Sequence, residues 1–424
     1  MRQNDKMTPE SPEPSSELRE EMPLVLSLGD RGAFHSKTYA PCSPNDVMDQ
    51  KLSDLLSRAT GAASKGDPSL GIDSIQGRTP KSGTLLLVPY PTFPFASELW
   101  RRSCATFRVE GLDPLPEVQI PRNLSPGLGP IAFQPERSRQ EMKAAIDGIQ
   151  EQIRQGRFYQ LNLLRYFKAA LPLSEWDFLQ RVLSSREPYR FFLADRSRDM
   201  AWASLSPERF CCVEPDPRVG LVISTFPIKG TLKRSPGMDP QQEGLKLFHS
   251  SKDMAELAMI IDLMRHDLSS VCKRGTVKVS NTGQVHSFAS VHHLQGQVQG
   301  VLNPDLTLWD LIARICPAGS ITGAPKKEVQ SAIAELEGRA RGFHMGNMFF
   351  ISDEGWLDSS VLIRTAVGQS AANRWSFAAG SGITLRSGAE SELDEMTVKT
   401  SCFGTILGEE SLPKEQSHAE SHED

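Results

Sequence analysis

No stretch of this 424-residue chain reaches the ~20 consecutive apolar residues that a membrane-spanning helix needs. The first residues are polar and lack the apolar core of a secretory leader, so no signal peptide and no membrane association are expected. Long basic runs are missing too. The net charge of −5 leaves no electrostatic footprint for nucleic acid. Cysteine is scarce: there are seven, an odd number, scattered and without a Cys-x-x-Cys pair. That excludes a disulfide framework and a zinc ribbon, and fits reduced thiols in a cytoplasmic protein. What remains, 39% hydrophobic and 23% charged, is ordinary globular material, enough for one large domain or two modest ones.

Residues 1–80 are rich in Ser, Pro, Asp, Glu and Gly, with short apolar islands at Leu24-Val25-Leu26 and from Leu52 to Leu56. They are expected to form a variable, largely disordered N-terminal region. A reduced portion follows over 81–136, with a first strand at 84–88 and a Pro-rich, loop-like stretch at 110–136. The main domain is expected over 137–408, and a disordered polar tail over 409–424. Helical spacing marks 138–155, where Met142, Ala145, Ile146, Ile149 and Ile153 form one stripe. Further helices are predicted at 176–183, 252–268, 326–337 and 390–403. Strands are predicted at 158–167, 191–193, 200–205, 210–213, 219–223, 276–280, 284–300, 346–352, 360–368 and 374–383. Runs of strands broken by separated helices indicate an α+β architecture with antiparallel sheets.

The stretch that organises the rest is Phe226-Pro227-Ile228-Lys229-Gly230-Thr231. Pro227 fixes its own φ and biases Phe226 to extended backbone, while Gly230 permits a conformation other residues resist. Lys229 therefore sits on a constrained turn at a strand end. Two readings stand: a solvated lysine, or an amine nucleophile kept neutral by desolvation or by a neighbouring cation. The 252–268 helix is apolar almost all round, as expected of a helix buried between layers, and carries Glu256 and Asp262. A buried carboxylate needs a cation, a hydrogen-bond network or a metal. In the last helix Glu392, Glu395 and Lys399 share a face. The Glu392/Glu395 pair suits either a hard cation such as magnesium or a solvated acidic face with Lys399 as an intrahelical partner.

Ala378-Ala379-Gly380-Ser381-Gly382 offers backbone N–H groups to an anion. A glycine-rich loop from Gly319 to Lys326 leads into a helix whose N-terminus can face a negative ligand. It is not a Walker loop, because the Gly-Lys-Ser/Thr ending is absent. Arg364 lies in a strand where a charge is expensive, which carboxylate binding or a structural ion pair would each explain. His292 and His293 are neutral core histidines or polar contacts in a pocket. Glu208, following Pro207, is a candidate general acid or a partner of Arg209. Together these residues describe a pocket for a small di- or trianionic metabolite and a divalent metal.

From about residue 137 to 408 the chain resembles the chorismate-utilising enzymes, most closely component I of aminodeoxychorismate synthase. Seven blocks in the family's order carry the resemblance: Gly156 to Leu163, Ser206 to Phe210, Phe226 to Thr231, Ser251 to Leu268, Pro317 to Lys326, Leu362 to Ala366 and Glu390 to Lys399. The resemblance implies two antiparallel β-sheets packed as a sandwich with flanking helices. It implies Mg2+ held by Glu256, Glu392 and Glu395 against the ring carboxylate of chorismate. Arg364 and Lys399 would hold the enolpyruvyl carboxylate, backbone groups near Gly380 and Gly382 the ring carboxylate, and Gln160, His293 and Thr322 would be further substrate contacts.

Two positions sort the chain within that family. Isochorismate and salicylate synthases carry a lysine base where this chain has Gln160, and glutamine cannot deprotonate water. Anthranilate synthases typically have alanine at the position of Lys229. The implied chemistry is covalent: Lys229 adds at ring position 2 while Glu208 protonates the departing hydroxyl, and ammonia then replaces the lysine at position 4. The implied product is 4-amino-4-deoxychorismate, the precursor of 4-aminobenzoate and folate. The chain has no Gly-x-Cys-x-Gly block, so ammonia from glutamine implies a separate glutamine amidotransferase subunit. Departures are Phe349-Phe350 for the family's usual Gly-Tyr, His266 for an asparagine, and the lack of a Gly-rich block ahead of the core. The alternatives are anthranilate synthase component I and a catalytically silent chorismate-binding or regulatory subunit.

Overall fold

The strands alternate their side chains between two faces, and apolar residues fill both. In Leu24–Ser27, Leu24 and Leu26 enter one apolar cluster and Val25 the other. Gly83–Val88 behaves likewise, with Leu85 and Leu87 on one side and Leu86 and Val88 on the other. A sheet buried on both faces must sit between layers, and these strands do. The structure, a computed structural model, describes residues 24–29, 33–36, 38–57, 80–91, 98–114, 131–170, 172–234, 239–287, 291–369 and 371–406.

Two sheets carry the architecture. The first has eleven strands and includes, side by side, Ile131–Pro135, Gln160–Ala169, Arg374–Ile383, Thr365–Gln369, Met200–Ser206, Tyr189–Asp195 and Leu24–Ser27. The second has ten and includes Ile228–Lys233, Val291–Val301, Gly220–Thr225, Arg209–Asp216, Leu357–Val361, Asn347–Ser352 and Gly83–Val88. Pairing is antiparallel, as predicted, except at the edge of the first sheet, where Gly404–Ile406 runs parallel to Ile131–Pro135. Trp202 of the first sheet meets Phe107 of the second edge to face at 6.3 Å, so the smaller apolar cluster lies between the sheets. Phe350 is in that cluster, against Trp356 at 5.6 Å.

Helices cover the outer faces. Arg139–Arg154 starts at a Ser138/Glu141 capping box and buries Met142, Ile146, Ile149 and Ile153, the predicted stripe. Ser251–Ser269 differs from expectation. Its buried residues, Leu257, Ile260, Ile261, Met264, Asp267 and Leu268, lie on one face, while Asp262 is exposed and paired with Arg265. The helix lies on the Val291–Val301 strand rather than between layers. Gly296 permits that approach: a Cβ there would fall 2.5 Å from Ile261 Cδ1. Among the described residues, no helix is long and apolar enough to cross a membrane.

The N-terminal expectation also differs from what is seen. Leu24–Ser27, Ala33–Ser36 and Thr38–Pro41 are strands of the two sheets, and Pro44–Met48 and Leu52–Ser57 are short helices. Leu24, Val25 and Leu26 are fully buried, because isolated apolar triplets find partners only across a sheet. Residues 1–23, 30–32, 37 and 58–79, and the tail from 407, lie outside the described residues. The predicted 284–300 strand is the hairpin partner pair Lys278–Ser287 and Val291–Val301. Among the described residues, the helices Pro44–Met48, Leu52–Ser57, Glu98–Ser103, Pro240–Phe248 and Leu308–Ile315 fall outside the predicted set. Leu308–Ile315 is marked by a Thr307/Asp310 capping box and apolar residues at Leu308, Leu311, Ile312 and Ile315.

Candidate active site

Lys229 lies in Ile228–Lys233, the edge strand of the second sheet. Its pairing with Val291–Val301 shifts register between Lys229 and Thr231, around Gly230 at φ +74°. Such a bulge re-aims a side chain, and only glycine takes that backbone angle without strain. The Lys229 amine ends beside the first sheet. A Cβ on Gly382 would fall 3.7 Å from Lys229 Nζ and 2.2 Å from Gln160 Nε2. Lys229, Gln160 and Gly382 thus meet across the two sheets. Burial pushes the Lys229 amine below the usual lysine range, against the pull of the Glu256 and Glu208 charges; Lys399 adds to the lowering.

Glu208 occupies the two-residue passage between Met200–Ser206 of the first sheet and Arg209–Asp216 of the second. The crossing holds its backbone: its N–H donates to Ser206 Oγ at 3.3 Å, and its carbonyl accepts from Val361 N at 3.2 Å. Burial raises its carboxyl to about 7, opposed by a hydrogen bond from Ser320 Oγ to Oε1 at 2.7 Å and by the charges of Lys229 and Lys399. Arg209, the alternative partner, is bound instead by Asp358, with Nε to Oδ1 at 2.9 Å. At neutral pH an acid held near 7 and an amine held low are the tuning that acid-assisted nucleophilic attack requires.

Gln160 is 1% exposed, and both its amide oxygen and nitrogen lack a hydrogen-bond partner among the described residues. Asn162 Oδ1, two residues on along the same face of the strand, is in the same condition. Buried polar atoms are nearly always satisfied, so this pair points to a polar ligand that belongs between the sheets. Asn162 was not anticipated; its strand alternation with Gln160 was the available signal. A Cβ on Gly380 would fall 2.4 Å from Asn162 Oδ1, so Gly380 and Gly382 leave space for the two amides. Both glycines lie within the Arg374–Ile383 strand. Gly380 directs its carbonyl to Lys399 Nζ at 2.7 Å.

The glycine-rich loop acts differently from expectation. Gly319–Ile321 is a short helical turn, and Gly323–Ala324 pairs with Gln160 and Leu161. Thr322 is fully buried, and its hydroxyl donates to Ala318 O at 2.9 Å within the loop. Lys326 Nζ binds Asp267 at 2.5 Å and Ile315 O at 2.9 Å. The loop is a brace, and the group it delivers to the site is Ser320.

His293 is 6% exposed, and its ring is held down to about 4, first by burial and next by the Arg364 charge, while a hydrogen bond to the Gly230 backbone works the other way. His292 faces away, with Nε2 3.4 Å from Glu243 Oε2. Arg364, at φ +48°, is paired with Glu187 at 2.7 Å, a residue the sequence did not single out.

The acidic residues arrange themselves in two ways. Glu256 is raised by burial, with Lys229 lowering it and Glu392 among the charges that raise it. Glu392 is buried and accepts a hydrogen bond from Ser381, whereas Glu395 is exposed and paired with Lys399 at 2.7 Å. Among the described residues, no three His, Cys, Asp or Glu side chains stand close enough to hold a metal. In donor type, Glu256 and Glu392 fit a hard divalent cation, whose charge would offset the repulsion between them.

The model of a family described as chorismate binding enzyme matches residues 101–404. Aminodeoxychorismate synthase component 1 of Escherichia coli K12 is 39% identical over 268 residues, 62% of this chain and 56% of the relative. The protein of the same name in Klebsiella aerogenes is 40% identical over 238 residues, 55% of this chain and 51% of the relative. Anthranilate synthase component 1 of Saccharolobus solfataricus is 33% identical over 264 residues, 61% of this chain and 60% of the relative. The chain therefore spans about half the length of the curated relatives it matches. Two solved structures share the fold. Anthranilate synthase component I from Streptococcus pneumoniae has a TM-score of 0.61 at 22% identity, covering 90% of both chains. The menaquinone-specific isochorismate synthase from Escherichia coli has a TM-score of 0.62 at 18% identity, covering 90% of this chain and 87% of the other.

Proposed function

The chain belongs to the chorismate binding enzyme family, and from that premise we propose that it aminates chorismate at ring position 4, as an aminodeoxychorismate synthase component I. The observation that carries the reading is the meeting of the Lys229 amine with Gln160 at Gly382, within reach of the Glu208 charge. An amine held below its usual range supplies a nucleophile, and an acid held near 7 supplies a proton. Gln160 stands where water activation would need a base, which disfavours addition of water.

In this mechanism the neutral Lys229 amine forms a C–N bond at ring position 2. Both ring double bonds shift, the C–O bond at position 4 breaks, and Glu208 gives its proton to the departing hydroxyl, which leaves as water. The lysine nitrogen of the adduct stays an ammonium. Ammonia then forms a C–N bond at position 4, both double bonds shift back and the C–N bond at position 2 breaks, so that Lys229 leaves as a neutral amine. Glu208, now a carboxylate, accepts the proton that the incoming nitrogen sheds. Dividing one substitution between two attacks is the use of a covalent nucleophile.

Arg364 and Lys399 would bind the enolpyruvyl carboxylate. Gln160, Asn162 and backbone groups near Gly380 and Gly382 would bind the polar edge of the ring, with His293 beside the nucleophile's turn. Mg2+, held by Glu256 and Glu392 with Glu395 on the same helix face, would supply positive charge against the ring carboxylate when bound. Ammonia would come from a separate glutamine amidotransferase. The seven free thiols fit a cytoplasmic setting.

The test is incubation of pure protein with chorismate, ammonium and magnesium, with the product identified by chromatography and mass. The expected product is 4-amino-4-deoxychorismate; anthranilate or isochorismate as the main product would sink the assignment. Lys229→Ala is expected to cut the rate or divert product to anthranilate, and an unaltered rate removes its nucleophilic role.

A further inference from the structure

Arg364 has left-handed backbone, φ +48°, an uncommon state for a residue with a side chain. Such strain persists where the surroundings over-determine it, often at a working residue. Here the carbonyl of Arg364 accepts from Leu205 N at 2.9 Å, and Thr365 pairs with Ser204, so the turn is anchored to the strand that leads into Glu208. The Arg364 charge reaches His293, whose ring is hydrogen-bonded to the backbone of Gly230, next to Lys229. The guanidinium is therefore at the border of the candidate site.

Its one side-chain hydrogen bond among the described residues is from Nη1 to Glu187 Oε1 at 2.7 Å. The guanidinium's other donors are left over, and the side chain is 27% exposed. Glu187 is itself held firmly. Its N–H donates to Ser185 Oγ at 3.1 Å, and its carbonyl accepts from Arg190 Nη1 at 3.0 Å. The next carbonyl, of Pro188, accepts from Gly29 N at 2.9 Å and Ser27 Oγ at 3.0 Å. A carboxylate on a pinned loop, partly buried, is a rigid anchor for a long cationic side chain.

We infer that Glu187 is a positioning residue for Arg364: it fixes one guanidinium nitrogen, so that the other donors are presented to a carboxylate of the substrate. Arginine recognises carboxylates through a planar fork, and a fork fixed in advance loses less freedom when the ligand arrives. This inference rests on the carboxylate-binding role proposed above for Arg364.

The experiment compares chorismate kinetics of the whole protein with those of Glu187→Gln, Glu187→Ala and Glu187→Asp. Loss of the anchor is expected to raise KM for chorismate about tenfold, or about 1.4 kcal/mol, while kcat falls less than about threefold, as for lost uniform binding. Glu187→Asp is expected to recover part of the loss. With Arg364→Ala already in place, Glu187→Gln is expected to add nothing. An unchanged or lower KM in Glu187→Gln, or a loss confined to Tm, would overturn the inference. Product identity tests the amination reading separately, since a shift to anthranilate leaves the KM comparison intact. If the protein binds chorismate without turnover, Kd from tryptophan fluorescence is compared in place of KM.

Discussion

The Ser320 hydroxyl donates to Glu208 Oε1 at 2.7 Å, linking the glycine-rich loop to the candidate acid. That bond favours the carboxylate form, while burial favours the protonated form and prevails.

A pH profile follows from this balance. The acid acts when protonated, and its folded-state value is about 7, so the alkaline limb of kcat/KM at fixed free ammonia is expected to fall above pH 7. Ser320→Ala removes a group that lowers the value, so the falling limb is expected to move to higher pH. A limb that stays in place would detach Ser320 from the acid.

Glu208→Gln is expected to lower kcat by about 10²- to 10⁴-fold while raising thermal stability at pH 8. The sign is set by linkage. The folded value lies above the unfolded one, so the group stabilises the fold at low pH, and that contribution is lost as pH rises from about 4.5 to about 7. Removing the charge relieves a buried carboxylate. A melting temperature at pH 8 that drops instead would contradict the buried placement.

Gly382→Ala puts a methyl group 2.2 Å from Gln160 Nε2. The amide end is the flexible part, so it is expected to swing into the space beside Lys229, leaving Tm nearly constant and kcat/KM at least about tenfold lower. Kinetics beside a melting curve decide the point: an equal loss in both would mean the strand itself is disturbed.

Chelation is expected to abolish turnover and added magnesium to restore it. Glu256→Gln is expected to raise the magnesium concentration for half-maximal rate, since it removes one charged oxygen donor. An unchanged requirement would take Glu256 out of the metal's surroundings.

Lys326→Met tests the glycine-rich loop. Because Lys326 is bound to buried Asp267, the change is expected to cost about 3–5 kcal/mol of stability, the range for stranding a buried charge. KM for chorismate is expected to stay near its original value. A large rise in KM at normal stability would return the lysine to ligand binding.

The candidate residues stand out in the sequence through local backbone: Lys229 beside Gly230, Glu208 after Pro207, and Glu392, Glu395 and Lys399 on one helix face. The roles proposed for them come from the family resemblance. Composition does not say which side of the 252–268 helix meets solvent; Asp262 and Arg265 take that side as an ion pair. Leu24-Val25-Leu26 is too short to register as a strand by itself, and becomes one between a local hairpin partner, Ala33–Ser36, and Tyr189–Asp195, more than 160 residues away. The Gly319-to-Lys326 loop has the composition of an anion site, but Asp267 claims its lysine. That pairing joins two elements that no local rule connects.

Local sequence dictates which reactive groups exist and how each sits on its own turn or helix, because those relations span a few residues. Their partners come from the packing of distant segments: Ser320 for Glu208, Glu187 for Arg364, Asp267 for Lys326. Desolvation is the cause. A carboxylate near 7 and an amine below its usual range arise only when distant strands exclude water from around them, and Lys229 and Glu208 acquire that environment from two sheets.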